Sequence, residues 1–118
     1  MKKFIVAIAA ISTLAAGAVS AQNVSIVDQL GLGNGQLTVQ SGSNFAYTGQ
    51  VGAFNGSITG QVGAANAAAT LQAGVGNGSI TTQMGVLNGA ATWQDGAGHL
   101  SDTTQMGLGN QSLTIQTD

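Results

Sequence analysis

Gln61-Val62-Gly63-Ala64-Ala65-Asn66-Ala67-Ala68-Ala69-Thr70-Leu71-Gln72 spans one period of a pattern that runs through most of the chain. Its glutamine recurs outward in both directions, at Gln50, Gln40 and Gln29 on one side and at Gln83, Gln94, Gln105 and Gln116 on the other. The interval is eleven residues throughout, except for ten between Gln40 and Gln50. Six positions before each glutamine stands an asparagine: Asn23, Asn34, Asn44, Asn55, Asn66, Asn77, Asn88 and Asn110, with His99 the single replacement. Two positions before it stands threonine in every copy but the first, which has Val27. Four positions before it the residue is small or polar, as in Ser57, Ala68 and Ser79. Two positions after the first eight glutamines is always glycine: Gly31, Gly42, Gly52, Gly63, Gly74, Gly85, Gly96 and Gly107. Nine tandem copies of Asn-x-[Ser/Ala]-x-Thr-x-Gln-x-Gly-x-x identify a repeat architecture.

From Asn to Gln the fixed residues fall at every second position, which places them on one face of a strand. Glycine then marks the turn. Each unit reads as a seven-residue strand and a four-residue turn, and the one-residue deletion before Gln50 falls in the turn Ser41-Gly42-Ser43. The chain is therefore expected to be all-β. It should form a β-solenoid of about nine strands in two facing parallel sheets, with two eleven-residue arcs per rung and the capacity to form amyloid. An antiparallel meander is the competing arrangement, since Asn34-Gly35, Asn55-Gly56, Asn77-Gly78 and Asn88-Gly89 are hairpin signals. A meander would leave one open sheet uncovered, whereas a solenoid buries one face of every strand.

Ordinary hydrophobic reasoning would bury the variable face, which carries Ile26, Leu37, Tyr47, Ile58 and Ile80. The constancy of the other face argues for the opposite. Identical amides stacked every ~4.8 Å hydrogen-bond along the axis as ladders, and a buried amide without such a partner is expensive. The Asn/Gln face is thus expected inside, and the apolar outer face becomes a lateral contact or adhesive surface.

Composition supports backbone pairing. The 118 residues include 19 glycines, no proline and no cysteine, and only 5% are charged. Proline would remove ladder donors, and charge is the usual brake on edge pairing. No disulfide can staple the chain. Lys2 and Lys3 are the only basic residues, and Asp28, Asp95, Asp102 and Asp118 the only acids. Binding to nucleic acid needs cations to displace counterions from phosphate, so that function is excluded for residues 22–118.

Residues 1–21 have the three parts of a secretory signal peptide: Lys2-Lys3, the apolar run from Phe4 to Val19, and the small residues Ala18-Val19-Ser20-Ala21. Cleavage is expected after Ala21. Read instead as a membrane anchor, the run of sixteen is short beside the roughly 20 residues of a spanning helix. Residues 22–118 would then be one repeat domain, secreted, with no membrane contact after cleavage.

The period Gln61–Gln72, and its neighbour Gln83-Met84-Gly85-Val86-Leu87-Asn88-Gly89-Ala90-Ala91-Thr92-Trp93-Gln94, resembles the repeat of curlins, the bacterial functional-amyloid subunits of curli fibres. The resemblance covers essentially all of residues 22–118. It implies a β-solenoid that self-assembles outside a diderm bacterium into cell-surface fibres for adhesion and biofilm matrix. The asparagines and glutamines named above would be its self-assembly ladder residues. The implied partners are other copies of the chain, a second curlin-like subunit and the curli secretion machinery. Three features depart from the family. Every eleven-residue arc here has the Gly-x-x-Asn turn, where curlin repeats of about twenty-two residues carry it in alternate arcs. Gln22 leads straight into Asn23 without a Gly-rich segment for the secretion pore. His99, with Asp95 and Asp102 nearby, interrupts the asparagine column.

No catalytic constellation accompanies His99, so neither an enzyme nor a cofactor is expected. Metal binding by Asp95, His99 and Asp102 is a weaker reading than a substituted ladder residue. Two other functions fit a solenoid: an ice-binding protein displaying its threonine column, and an adhesin that does not polymerise.

Overall fold

The computed structural model describes residues 22–118, so the signal peptide expected over 1–21 lies outside the described residues. Among the described residues the regular structure is entirely β: β1 (Val24–Leu32), β2 (Gly35–Ala53), β3 (Gly56–Val75), β4 (Gly78–Val86), β5 (Gly89–Ala97), β6 (Leu100–Leu108) and β7 (Gln111–Thr117). Every pairing is parallel, which rules out the meander. Partners lie 22 residues apart, or 21 where the shortened turn intervenes, as in Gln29 with Gln50 and Gln61 with Gln83. The chain is a parallel β-solenoid of about four turns, two arcs to a rung.

The arcs fall into two stacks. One contains β1, residues 45–53, residues 67–75, β5 and β7. The other contains residues 35–43, residues 56–64, β4 and β6. Nine arcs thus occupy seven strands, because β2 and β3 each carry two arcs around a corner without a break.

The corner of β2 is shorter than the other turns, and β3 follows it through a bulge. Most turns pass through two residues of positive φ: the glycine after Gln, at 106° to 133°, and the residue just before Asn, at 55° to 73°. The second position holds Gly33, Gly76, Gly98 and Gly109, but also Phe54, Ala65 and Leu87. Among the described residues, the turn Ser41-Gly42-Ser43 has no such second residue, because the deletion removes it. Its chain stays extended, and Asn44 faces both Ala65 and Asn66, a bulge between the registers Ser43–Ala64 and Phe45–Ala67. On either side of the bulge the strand register is intact, as expected for a length change confined to a turn.

The first glycine has a further constraint. A Cβ on Gly63 would run into the carbonyl oxygen of Gly85 one rung on, and the same holds for Gly31, Gly42, Gly52, Gly74 and Gly85 against their successors. Glycine here permits both the φ and the stacking of bare backbone on bare backbone.

The interior is polar. Among the described residues the largest fully buried side chains are glutamines, asparagines and threonines, and buried apolar side chains are limited to Phe45, Ala46, Ala68, Ala69 and Ala90. Leu37, Ile58, Ile80, Val51 and Val62 face outward and are exposed. The usual distribution is inverted, as the constancy of the Asn/Gln face predicts.

Candidate assembly site

Two glutamine ladders run the length of the solenoid. On one stack Nε2 of Gln29 donates to Oε1 of Gln50, Gln50 to Gln72, Gln72 to Gln94 and Gln94 to Gln116, at 2.5–2.8 Å. On the other, Gln40 donates to Gln61, Gln61 to Gln83 and Gln83 to Gln105, at 2.7–2.8 Å. Most of these amides use their second hydrogen across the core. Gln61 donates to the carbonyl of Phe45 at 3.0 Å, Gln72 to Gly56 at 3.0 Å and Gln94 to Gly78 at 2.9 Å. A glutamine at the end of one arc therefore ties both to the rung ahead and to the facing sheet. Gln50, Gln61, Gln83 and Gln94 are 0% exposed, so each bond replaces water that the amide has lost.

The asparagine ladders stand at the corners and run the other way. The backbone N–H of Asn66 donates to Oδ1 of Asn44, that of Asn88 to Asn66 and that of Asn110 to Asn88, at 3.1–3.2 Å. On the other corner Asn55 donates to Asn34, Asn77 to Asn55 and His99 to Asn77, at 3.0–3.1 Å. Asn23 opens the first series by accepting from Asn44 at 3.0 Å. The side-chain nitrogens clamp the turn: Nδ2 of Asn88 donates to the carbonyl of Met84 four residues back and to that of Gly107 one rung on. Ladders of this kind polarise one another in a low-dielectric interior.

The expected ladder residues are thus brought together in full, with their roles divided. Glutamines cross-link the two sheets; asparagines hold the corners. His99 keeps the backbone half of its slot and offers no Oδ1 to a following rung. Its Nε2 lies 2.5 Å from Asp118 Oδ1 and 3.2 Å from the carbonyl of Asp95. Asp102 stacks on Ile80 in β4 instead of joining it. Among the described residues no group of three or more metal-ligating side chains is assembled.

Among the described residues six buried hydroxyls lack hydrogen-bond partners: Thr48, Thr70 and Thr92 on one stack, Ser57, Ser79 and Ser101 on the other. Nothing in the spacing of the repeat signals this. The threonine column is buried, with Thr48, Thr59, Thr70 and Thr81 each 1% exposed, so it offers no exposed array to ice. On the outer face an apolar groove of about 690 Å³ follows the axis over Gly35, Gly56 and Gly78, beside Leu37, Ile58 and Ile80. On the opposite stack Tyr47 hydrogen-bonds Asp28, and burial first, then the charge and hydrogen bond of Asp28, raise its phenol above the ordinary 10.0.

The two ends differ from the middle. Among the described residues β6 pairs only with β4 and β7 only with β5, so both leave a strand edge open. β1 and residues 35–43 do the same at the other end. Among the described residues Nε2 of Gln105 and of Gln116 makes only its cross-core bond, to Gly89 and Leu100. Oε1 of Gln29 and of Gln40 accepts from no residue among those described. One end is therefore an array of spare glutamine donors and the other of spare glutamine acceptors. No family model matches this chain, and neither the curated proteins nor the solved structures provide a match.

Proposed function

We propose that residues 22–118 form a secreted structural subunit that polymerises end to end into curli-type amyloid fibres at the cell surface, serving adhesion and biofilm matrix. The single observation that carries this reading is the pair of open, complementary ends on a stack whose interior is already a hydrogen-bonded zipper. Open parallel edges template a further chain, and a head-to-tail contact that does not close yields a filament. The curlin-like repeat favours the same reading. In it, the columns of exposed Leu, Ile and Val become the lateral and adhesive surface. Partners are other copies of the chain, with a second curlin-like subunit and a dedicated secretion apparatus as the resemblance implies.

The test is to express residues 22–118 and follow assembly. Fibres should grow spontaneously, seed fresh monomer, bind thioflavin and diffract at ~4.8 Å and ~10 Å. A stable monomer on size-exclusion chromatography at high concentration would overturn the proposal and leave a non-polymerising adhesin.

A further inference from the structure

We infer that successive copies of this chain dock with their two sheets exchanged, each subunit turned by half a revolution about the fibre axis; this rests on the fibre reading above. The described residues form an odd number of arcs. Five arcs lie on the stack that includes β1 and β7, and four on the stack that includes β6. A second copy placed in the same orientation would set its β1 on β7 and leave a half-rung void above β6. A copy with its sheets exchanged sets β1 on β6 and residues 35–43 on β7. No arc is then missing.

Burial points the same way. The inner face of β1 is exposed at Ser25, Val27 and Gln29, whereas that of β7 is half-buried at Ser112, Thr114 and Gln116. Within the chain each cross-core glutamine bond reaches back to the preceding arc, as Gln50 does to Gly35 and Gln40 to Val24. Gln29 has no preceding arc. Exchange lays β7 of the previous copy across it and puts the carbonyl of Gln111 where Gly35 stands for Gln50. Same-orientation stacking leaves that face of β1 opposite the void.

The spare ladder groups also match. In exchanged register Gln105 donates to Gln29 of the next copy and Gln116 to its Gln40. The N–H of the next Asn34 meets Oδ1 of Asn110, as Asn110 itself meets Asn88. The outer columns agree in character: Leu30 lands on Met106, Leu32 on Leu108, Leu37 on Leu113 and Val39 on Ile115, while Asp28 meets Thr104. Same-orientation docking would set Asp28 on Ile115 and Leu30 on Thr117. Exchange leaves two unlike pairs, Ile26 on Asp102 and Asn23 on His99.

The chain has no cysteine, so engineered pairs report the register directly. Neighbouring parallel strands lie ~4.8 Å apart, inside the Cα range that a disulfide spans. Leu30 and Met106 lie on different stacks at opposite ends, and no single subunit can join them. Mild oxidation of fibres of L30C/M106C should give a ladder of covalent oligomers, while fibres of L30C/T117C should remain monomeric in denaturant. The reverse pattern, or fibres in which neither pair cross-links, overturns exchange while leaving fibre formation intact. Absence of fibres from the unmodified chain overturns the fibre reading and exchange with it. A second measurement needs no substitution: exchanged subunits advance four and a half layers, about 21–22 Å, against about 24 Å for same-orientation docking with its void. The axial repeat of wild-type fibres decides between them.

Discussion

Gln50 donates its amide hydrogen to Gln72 across 2.7 Å, with both side chains essentially out of reach of solvent. Gln72→Ala would remove the acceptor of Gln50, the donor to Gln94 and the cross-core bond to Gly56 at once. Buried groups left unpaired cost about 1–3 kcal/mol each, so the substitution should destabilise the soluble chain by roughly 3–5 kcal/mol in denaturant unfolding. Gln116→Ala at the open end should cost only about 1 kcal/mol. Equal losses at the two positions would contradict the ladder as a source of stability.

Gly60 and Gly63 are three residues apart and should respond in opposite ways. An alanine at 63 must hold a φ near 120° and collide with the backbone of Gly85, at a cost of roughly 2–5 kcal/mol. Around Gly60 there is nothing within 4 Å of an added Cβ. Gly60→Ala should therefore be neutral or stabilise by up to about 1 kcal/mol through the unfolded chain. Thermal melts of the two variants check this.

Leu87 occupies a left-handed position at φ 60° that Gly33, Gly76, Gly98 and Gly109 fill in other turns. Its side chain is 57% exposed and contributes little packing. Leu87→Gly should raise stability by about 1 kcal/mol as the backbone strain is relieved. A melting temperature unchanged or lowered would show that the leucine packs more than its exposure implies.

Thr70 is 1% exposed and its hydroxyl has no partner. Valine has the same shape without the polar atom. Thr70→Val should be neutral or stabilising by up to about 1 kcal/mol, in contrast to the loss at its neighbour Gln72. A clear loss of stability would mean that the hydroxyl is paired in solution.

Burial and Asp28 hold the Tyr47 phenol above 10.0 in the fold, so the folded chain keeps a proton that the unfolded chain releases first. This contribution is complete below pH 10 and is lost as pH rises through the raised value. Tyr47→Phe should abolish that alkaline loss, to the extent that it comes from this group. Urea midpoints measured from pH 8 to pH 11 for both chains test the difference.

Much of this arrangement is legible in the sequence because a stack is only as regular as its repeat. The 22-residue spacing of Gln61, Gln83 and Gln105 alone places identical amides one above another, and the cost of an unpaired amide puts them inside. Other features need the fold. The bond from Gln61 to Phe45 depends on how closely the sheets approach, which the small Ala46 and Ala68 permit. The strand count differs because β2 and β3 run unbroken through the shortened corner at Gly42 and the bulge opposite it. The second left-handed turn position is half hidden in the sequence, since Phe54, Ala65 and Leu87 stand where glycine would announce it. Neither the unpaired hydroxyl of Thr70 nor the contact between His99 and Asp118 has any signature in the spacing.

The polar interior has a consequence for temperature. Exposing apolar surface raises the heat capacity on unfolding by about 0.45 cal/K/mol/Å², and exposing polar surface lowers it by about 0.26. Here the amides are hidden while Leu30, Leu37 and Leu113 already meet solvent in the fold. The heat-capacity increment should therefore fall well below the usual ~12–15 cal/mol/K per residue. Its stability curve is correspondingly flat, and cooling does not weaken what holds the chain together, because little of that is hydrophobic.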